Sequence, residues 1–158
     1  MIASCGTMRL KLPEPMLLAF HEAEDAAARG EVPVGAVVAD KTGRIIASAG
    51  NRTLEFKDPT AHAEMLAIRQ AARDLASERL VDCDLYVTLE PCAMCAAAIS
   101  FARVRRLYFA APDEKMGAVE HGGRFYAQAT CHHRPDVYSG IGEEQASILL
   151  REFFKARR

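Results

Sequence analysis

Residues 84–103 read DLYVTLEPCAMCAAAISFAR. The first seven residues have the apolar and β-branched content of a strand. Pro91 ends that run and suits the first position of a helix, because its missing N–H would have no intrahelical partner there. The alanine-rich text behind it continues the helix to about Arg103. RRLYFAA, residues 105–111, is a strand again. Upstream, VPVGAVVAD and GRIIASAGN are β-rich runs joined at Lys41, Thr42 and Gly43, which predicts a hairpin. Strands alternating with helices after a hairpin imply a layered α/β domain with a mixed sheet.

The remaining elements follow from periodicity. Residues 15–29 carry Met16, Phe20, Ala23 and Ala27 at helical spacing, with Gly30 as a stop. TAHAEMLAIRQAARDLAS is a helix capped by Thr60, or by Asp58 with Pro59 at its first position. Residues 113–135 read as loop with one helical turn, DVYSG as a short strand, and residues 143–158 as a closing helix.

Composition narrows the function classes. A chain of 158 residues makes one domain that buries roughly two-thirds of its unfolded surface. The formal net charge is −1, so any nucleic-acid contact has to come from a local patch. No run approaches the roughly eighteen apolar residues that span a bilayer, and the start is a poor signal peptide. No membrane role is expected. Five cysteines, an odd number, without a secretion signal point to a reducing cytoplasm rather than a disulfide framework. Met8 offers an alternative start. The expected organisation is a flexible extension over residues 1–13 and a single domain over residues 14–158.

Cys92 and Cys95 lie three apart, on one face of their helix. That spacing serves a redox pair, half of a structural metal site, or two ligands of a catalytic metal. Two thiolates cannot complete a tetrahedral zinc site. Cys131, His132 and His133 would close it. His62 alone would leave a position open for water. Glu64 decides between them: at a helix tip, first-turn side chains converge beyond the end, which brings Glu64 near the open position. A metal that lowers the pKa of water and a carboxylate that moves its proton make a hydrolytic pair.

His62-Ala63-Glu64 with Pro91-Cys92-Ala93-Met94-Cys95 resembles the H-x-E…P-C-x-x-C signature of zinc nucleobase deaminases. EVPVGAVV, GNRT, TAHAEM, LYVTLEPCAMCAAAIS and RLYFAAPDEKMGA together resemble the bacterial tRNA-specific adenosine deaminase family. The resemblance implies a cytidine-deaminase-like three-layer α/β/α sandwich around a five-stranded mixed sheet. It implies one zinc per subunit on His62, Cys92 and Cys95, with Glu64 as the proton shuttle. Asn51, the Ala63 backbone and Asp113 would meet the substrate. The reaction would be hydrolytic deamination of the wobble adenosine (position 34) to inosine in the anticodon loop of tRNA, by a cytoplasmic homodimer. A free-base or nucleoside deaminase acting on guanine or cytosine would share the zinc site without the RNA surface.

Other features have plainer readings beside functional ones. Asn51 suits a turn after Gly50. Cys5 reads as a tail thiol and Cys83 as an apolar filler. Ala146, Leu149, Leu150, Phe153 and Phe154 form an apolar stripe on the closing helix. Arg151, Lys155 and Arg158 share its other face, as C-terminal cations or as phosphate contacts. Arg103, Arg105 and Arg106 are candidates to extend that patch.

Overall fold

The computed structural model describes residues 11–158. Cys5 and most of the expected extension therefore lie outside the described residues. The elements are α1 (Glu14–Ala28), β1 (Gly35–Asp40), β2 (Ile45–Gly50), α2 (Thr53–Phe56), α3 (Ala63–Asp74), β3 (Cys83–Leu89), α4 (Ala93–Phe101), β4 (Arg106–Ala111), β5 (Asp136–Ser139) and α5 (Glu143–Lys155). A single 3-10 turn, Phe125–Ala127, lies in the long loop before β5.

The strands form one mixed sheet in the order β2-β1-β3-β4-β5. The hairpin β1–β2 is antiparallel, as is β1 with β3, while β3–β4 and β4–β5 are parallel. One face packs Ala63, Ala67, Ala71, Ala96 and Ile99 of α3 and α4 against Val38, Leu85, Val87 and Phe109. The other packs Met16, Ala19, Phe20 and Ala146 of α1 and α5 against Val37 and Ala110. On that second face Tyr86, Tyr108 and Tyr138 sit opposite one another in register and stack, with ring centroids 4.5 and 5.0 Å apart. The expected three layers are present.

Small residues let α1 lie flush on the hairpin. Gly35 and Gly50 are register partners. A Cβ on Gly35 would sit 1.9 Å from the Ala19 carbonyl oxygen, and one on Gly50 would sit 2.6 Å from that of Glu22. The helix backbone occupies the space of both missing side chains.

Both expected helix starts move inward. α3 begins at Ala63 with His62 at its cap position, and α4 begins at Ala93 with Cys92 at its cap position. Asp58 instead folds a turn on itself, its Oδ1 accepting from the Thr60 N–H and hydroxyl at 2.8 and 2.7 Å. Thr60 is thus held outside the helix. Pro91 stands before the cap rather than in the first turn. α2 is an unforeseen single helical turn.

Topology then gathers the site. Leu89 and Ala111 end parallel strands, and chains in such folds leave a crevice beyond the carboxyl ends of those strands. Because β1 runs antiparallel to β3 and β2 antiparallel to β1, Gly35 and Gly50 reach the same end. Asn51, Glu90, Cys92 and Asp113 all follow directly from these strand termini. Among the described residues no helix is long and apolar enough to cross a membrane.

Candidate active site

His62 and Cys92 each occupy a helix cap with extended backbone, at φ −71° and −70°. Two helix N-termini therefore turn their positive dipole ends toward one spot. Cys95 enters from the first turn of α4. The Cys92 and Cys95 sulfurs each lie 3.6 Å from His62 Nδ1. The donor atoms of the three residues lie within 4.8 Å of one another. Among the described residues no other group of His, Cys, Asp and Glu meets that criterion.

These distances fit a zinc ion. Bonds of about 2.3 Å to sulfur and about 2.0–2.1 Å to nitrogen, meeting at a tetrahedral angle, separate the two donors by about 3.5 Å. Two thiolates and a neutral imidazole also balance a dication. The Cys95 thiol beside it and the His62 ring hold the Cys92 thiol down at about 4, against the upward push of burial. Its neighbour Cys92 and burial push the Cys95 thiol well above the usual range. Cys92 in turn raises the His62 ring. Three donors turned on one point crowd their lone pairs together, the condition a cation relieves.

Glu64 stands in the first turn of α3, 4 % exposed. Burial pushes its carboxyl up to about 7. His62, Glu64, Cys92 and Asn51 all line one cavity of about 220 Å³. Ligand pockets for drug-sized molecules run to roughly 300–1,000 Å³, so this one suits a single flat base. Asn51 supplies the cap that Thr60 does not: its Oδ1 accepts the Ala63 N–H at 2.8 Å. The Ala63 backbone, expected to meet the substrate, has its N–H engaged by Asn51. The Asn51 side-chain N–H2 is the donor left.

Residues 11–111 match the model of the cytidine and deoxycytidylate deaminase zinc-binding region. The chain belongs to this deaminase family. A tRNA-specific adenosine deaminase of Agrobacterium fabrum is 59 % identical over 143 residues, covering 90 % of this chain and 93 % of the relative. A solved structure from studies of A-to-I editing by tRNA:A34 deaminases at the wobble position superposes with a TM-score of 0.84 at 60 % identity, covering 86 % of this chain and 98 % of the other. A guanine deaminase of Nitrosomonas europaea superposes at 0.76 with 26 % identity, covering 91 % and 85 %.

In this deaminase a wider groove of about 1190 Å³ adjoins the small cavity. Val32, Leu89, Asp113 and Met116 line both. Arg151, Lys155 and Arg158 line the groove, joined by Lys115, Arg157 and Phe154. Phe154, expected in the apolar stripe of the core, is 48 % exposed and faces the groove instead. Arg105 does not extend the patch, because Asp84 holds it in a two-point ion pair at 2.9 and 2.8 Å. Arg106 has its Nε buried without a hydrogen-bond partner.

The segment CHH braces a loop. His133 Nε2 lies 2.6 Å from the Val104 carbonyl, and the Cys131 thiol donates to the His133 carbonyl at 3.1 Å. It is not grouped with Cys92 and Cys95, so the closed structural site does not form. Cys83 is a buried core residue, as expected.

Two buried carboxylates went unnoticed in the sequence. Glu31, 2 % exposed, accepts the Leu54 and Glu55 N–H groups at 2.9 Å each. It thereby caps α2 and fixes the segment behind Asn51. Glu90 accepts five donors from the loop carrying Asp113. The signal for both was present: a carboxylate inside apolar text, in GEVPVG and VTLEPC, has to find partners when buried.

Proposed function

We propose that the chain is a zinc-dependent tRNA adenosine deaminase that converts the wobble adenosine (position 34) of an anticodon loop to inosine. The observation that carries this is a base-sized cavity holding Glu64 beside the three donors, open onto a groove lined by Arg151, Lys155, Arg157 and Arg158. A free-base deaminase needs the cavity but has no use for such a groove. The relatives named tRNA-specific adenosine deaminase, at far higher identity than the guanine deaminase, favour the same choice.

His62, Cys92 and Cys95 would hold one zinc per subunit. Zinc there would supply a Lewis acid that brings the pKa of a water toward about 7. Glu64 would take a proton from water as the water oxygen bonds to C6, and pass that proton to the ring nitrogen next to C6. It would then carry the remaining hydroxyl proton to the amino group, which leaves as ammonia as the C6–N bond breaks. Its burial raises its affinity for a proton, which suits a carboxyl that both takes and gives protons. The Asn51 side-chain N–H2 and the Asp113 carboxylate position the nucleoside. One domain over residues 14–158 performs the reaction, working in the cytoplasm as a homodimer.

The test is direct. Inosine is expected from an anticodon stem-loop bearing a wobble adenosine, with little product from free adenosine or from the same sequence annealed into a duplex. Loop bases splay out at modest cost, whereas a paired base must first leave its stack. Free adenosine also lacks the flanking groups whose binding energy aligns C6. If adenosine reacts as well as the stem-loop, the small-substrate reading replaces this one.

The basic residues carry a separate prediction. Replacing Arg151, Lys155 and Arg158 together with glutamine is expected to weaken stem-loop binding. The slope of log affinity against log salt should flatten by about two, near 0.7 for each lost phosphate contact on a single strand. Zinc content should not change. Parental affinity at every salt concentration would make these residues solvated cations and nothing more.

A further inference from the structure

Glu90 sits between the end of β3 and Pro91, with its side chain 0 % exposed. None of the proton transfers assigned above uses it. Its Oε1 accepts the Asp113 N–H at 3.1 Å and lies 2.7 Å from His121 Nδ1. Its Oε2 accepts the N–H groups of Val119, Glu120 and His121 at 3.2, 3.1 and 3.1 Å. A carboxylate offers about four lone-pair sites, so this one is saturated. Every donor comes from residues 113–121.

The same loop is tied to the turn bearing the cysteines. Gly117 forms a bridge with Cys92, and the Ala118 N–H donates to the Pro91 carbonyl at 3.0 Å. A Cβ on Gly117 would come within 2.5 Å of Glu90 Oε2. The loop is wrapped tightly on the carboxylate. Its outer side presents Asp113 and Met116 to both cavities. A neutral core could pack this junction without charge. Burying a carboxylate costs free energy unless fully bonded, and here the bonds go entirely to a substrate-facing loop.

We infer that Glu90 is a positioning residue for substrate. It holds the loop that meets the nucleotide and its neighbours in fixed register with the turn carrying Cys92 and Cys95. Binding and chemistry are thereby aligned through one side chain. This rests on the RNA reading given above.

Glu90→Gln, a neutral isostere, and His121→Phe test it in the full-length protein. Zinc content, amide exchange and kinetics on the anticodon stem-loop are measured together. For Glu90→Gln we expect parental zinc, exchange of the Val119, Glu120 and His121 amides faster by at least about tenfold, and KM raised by about tenfold with kcat within about threefold. His121→Phe, which keeps the four backbone bonds, should move the same quantities less. Loss of zinc, or a fall in kcat at parental KM, would assign Glu90 to the metal turn and overturn the inference. If Glu90→Gln does not fold, His121→Phe decides, and a parental KM there overturns it. A parent protein that is itself inactive on the stem-loop sinks the RNA reading, and this inference with it. An active parent with unchanged variants sinks only the inference.

Discussion

Glu64→Ala is expected to slow inosine formation by at least about 10²–10⁴-fold, the range for losing a general acid–base group. The loss should reach the upper part of that range or exceed it, because one carboxyl serves several proton transfers in sequence. Zinc should remain at one per chain, since Glu64 is not among the three clustered donors. Stem-loop binding should also survive, because the groove is built from α5 and the loop of Asp113. Glu64→Gln separates shape from proton transfer: it fills the same space and should be nearly as slow. Single-turnover inosine formation, with zinc measured on the same sample, gives the answer. A variant within tenfold of the parent would remove Glu64 from the mechanism.

Gly35→Ala is expected to be the most damaging glycine-to-alanine change among the described residues. Its new Cβ would overlap the Ala19 carbonyl oxygen at 1.9 Å and approach the Ala23 nitrogen at 2.7 Å. Those are backbone atoms, so no side chain can swing aside and α1 has to lift. Overpacking a core costs about 1–3 kcal/mol when rotamers can yield, and a backbone clash belongs at or above that limit. At about 2–4 °C per kcal/mol for a chain of this size, a cost near 3 kcal/mol lowers Tm by roughly 6–12 °C. Activity should fall too, because Arg29 at the end of α1 donates to the Asn51 carbonyl. Gly123→Ala is the control: nothing lies within 4 Å of its Cβ, and its effect should stay within about 0.5 kcal/mol. A melting temperature for Gly35→Ala within 2 °C of the parent, on the order of a surface change, would show that α1 is free to shift.

The clustered donors were legible because short spacing encodes them. H-x-E and P-C-x-x-C each place two groups within one turn, and their chemistry leaves few uses. Strand and helix identities were legible for a related reason, since hydrophobic periodicity is local. Cap positions were not. The sequence offers Thr60 and Asp58 as plausible caps for α3, yet Asn51, twelve residues away, supplies the acceptor. Phe154 looks like core by spacing, and only the position of α5 relative to the Asp113 loop turns it toward the groove. Glu31 and Glu90 were hidden for the same reason. Their partners lie 22–31 residues downstream, a distance that periodicity cannot read.

With the cavity at one end of the sheet, the opposite end offers a handle away from the chemistry. β1 runs six residues from Gly35 beside the cavity to the hairpin turn, about 20 Å at the rise of a strand. That turn is held by its own bonds, with Asp40 accepting from Thr42 and Arg44, and nothing lies within 4 Å of a Cβ on Gly43. A second polypeptide spliced between Thr42 and Gly43 would hang from the far rim, at the end of the sheet opposite the cavity. It would carry the enzyme to a chosen nucleic acid as a passenger does, without a hand on the chemistry.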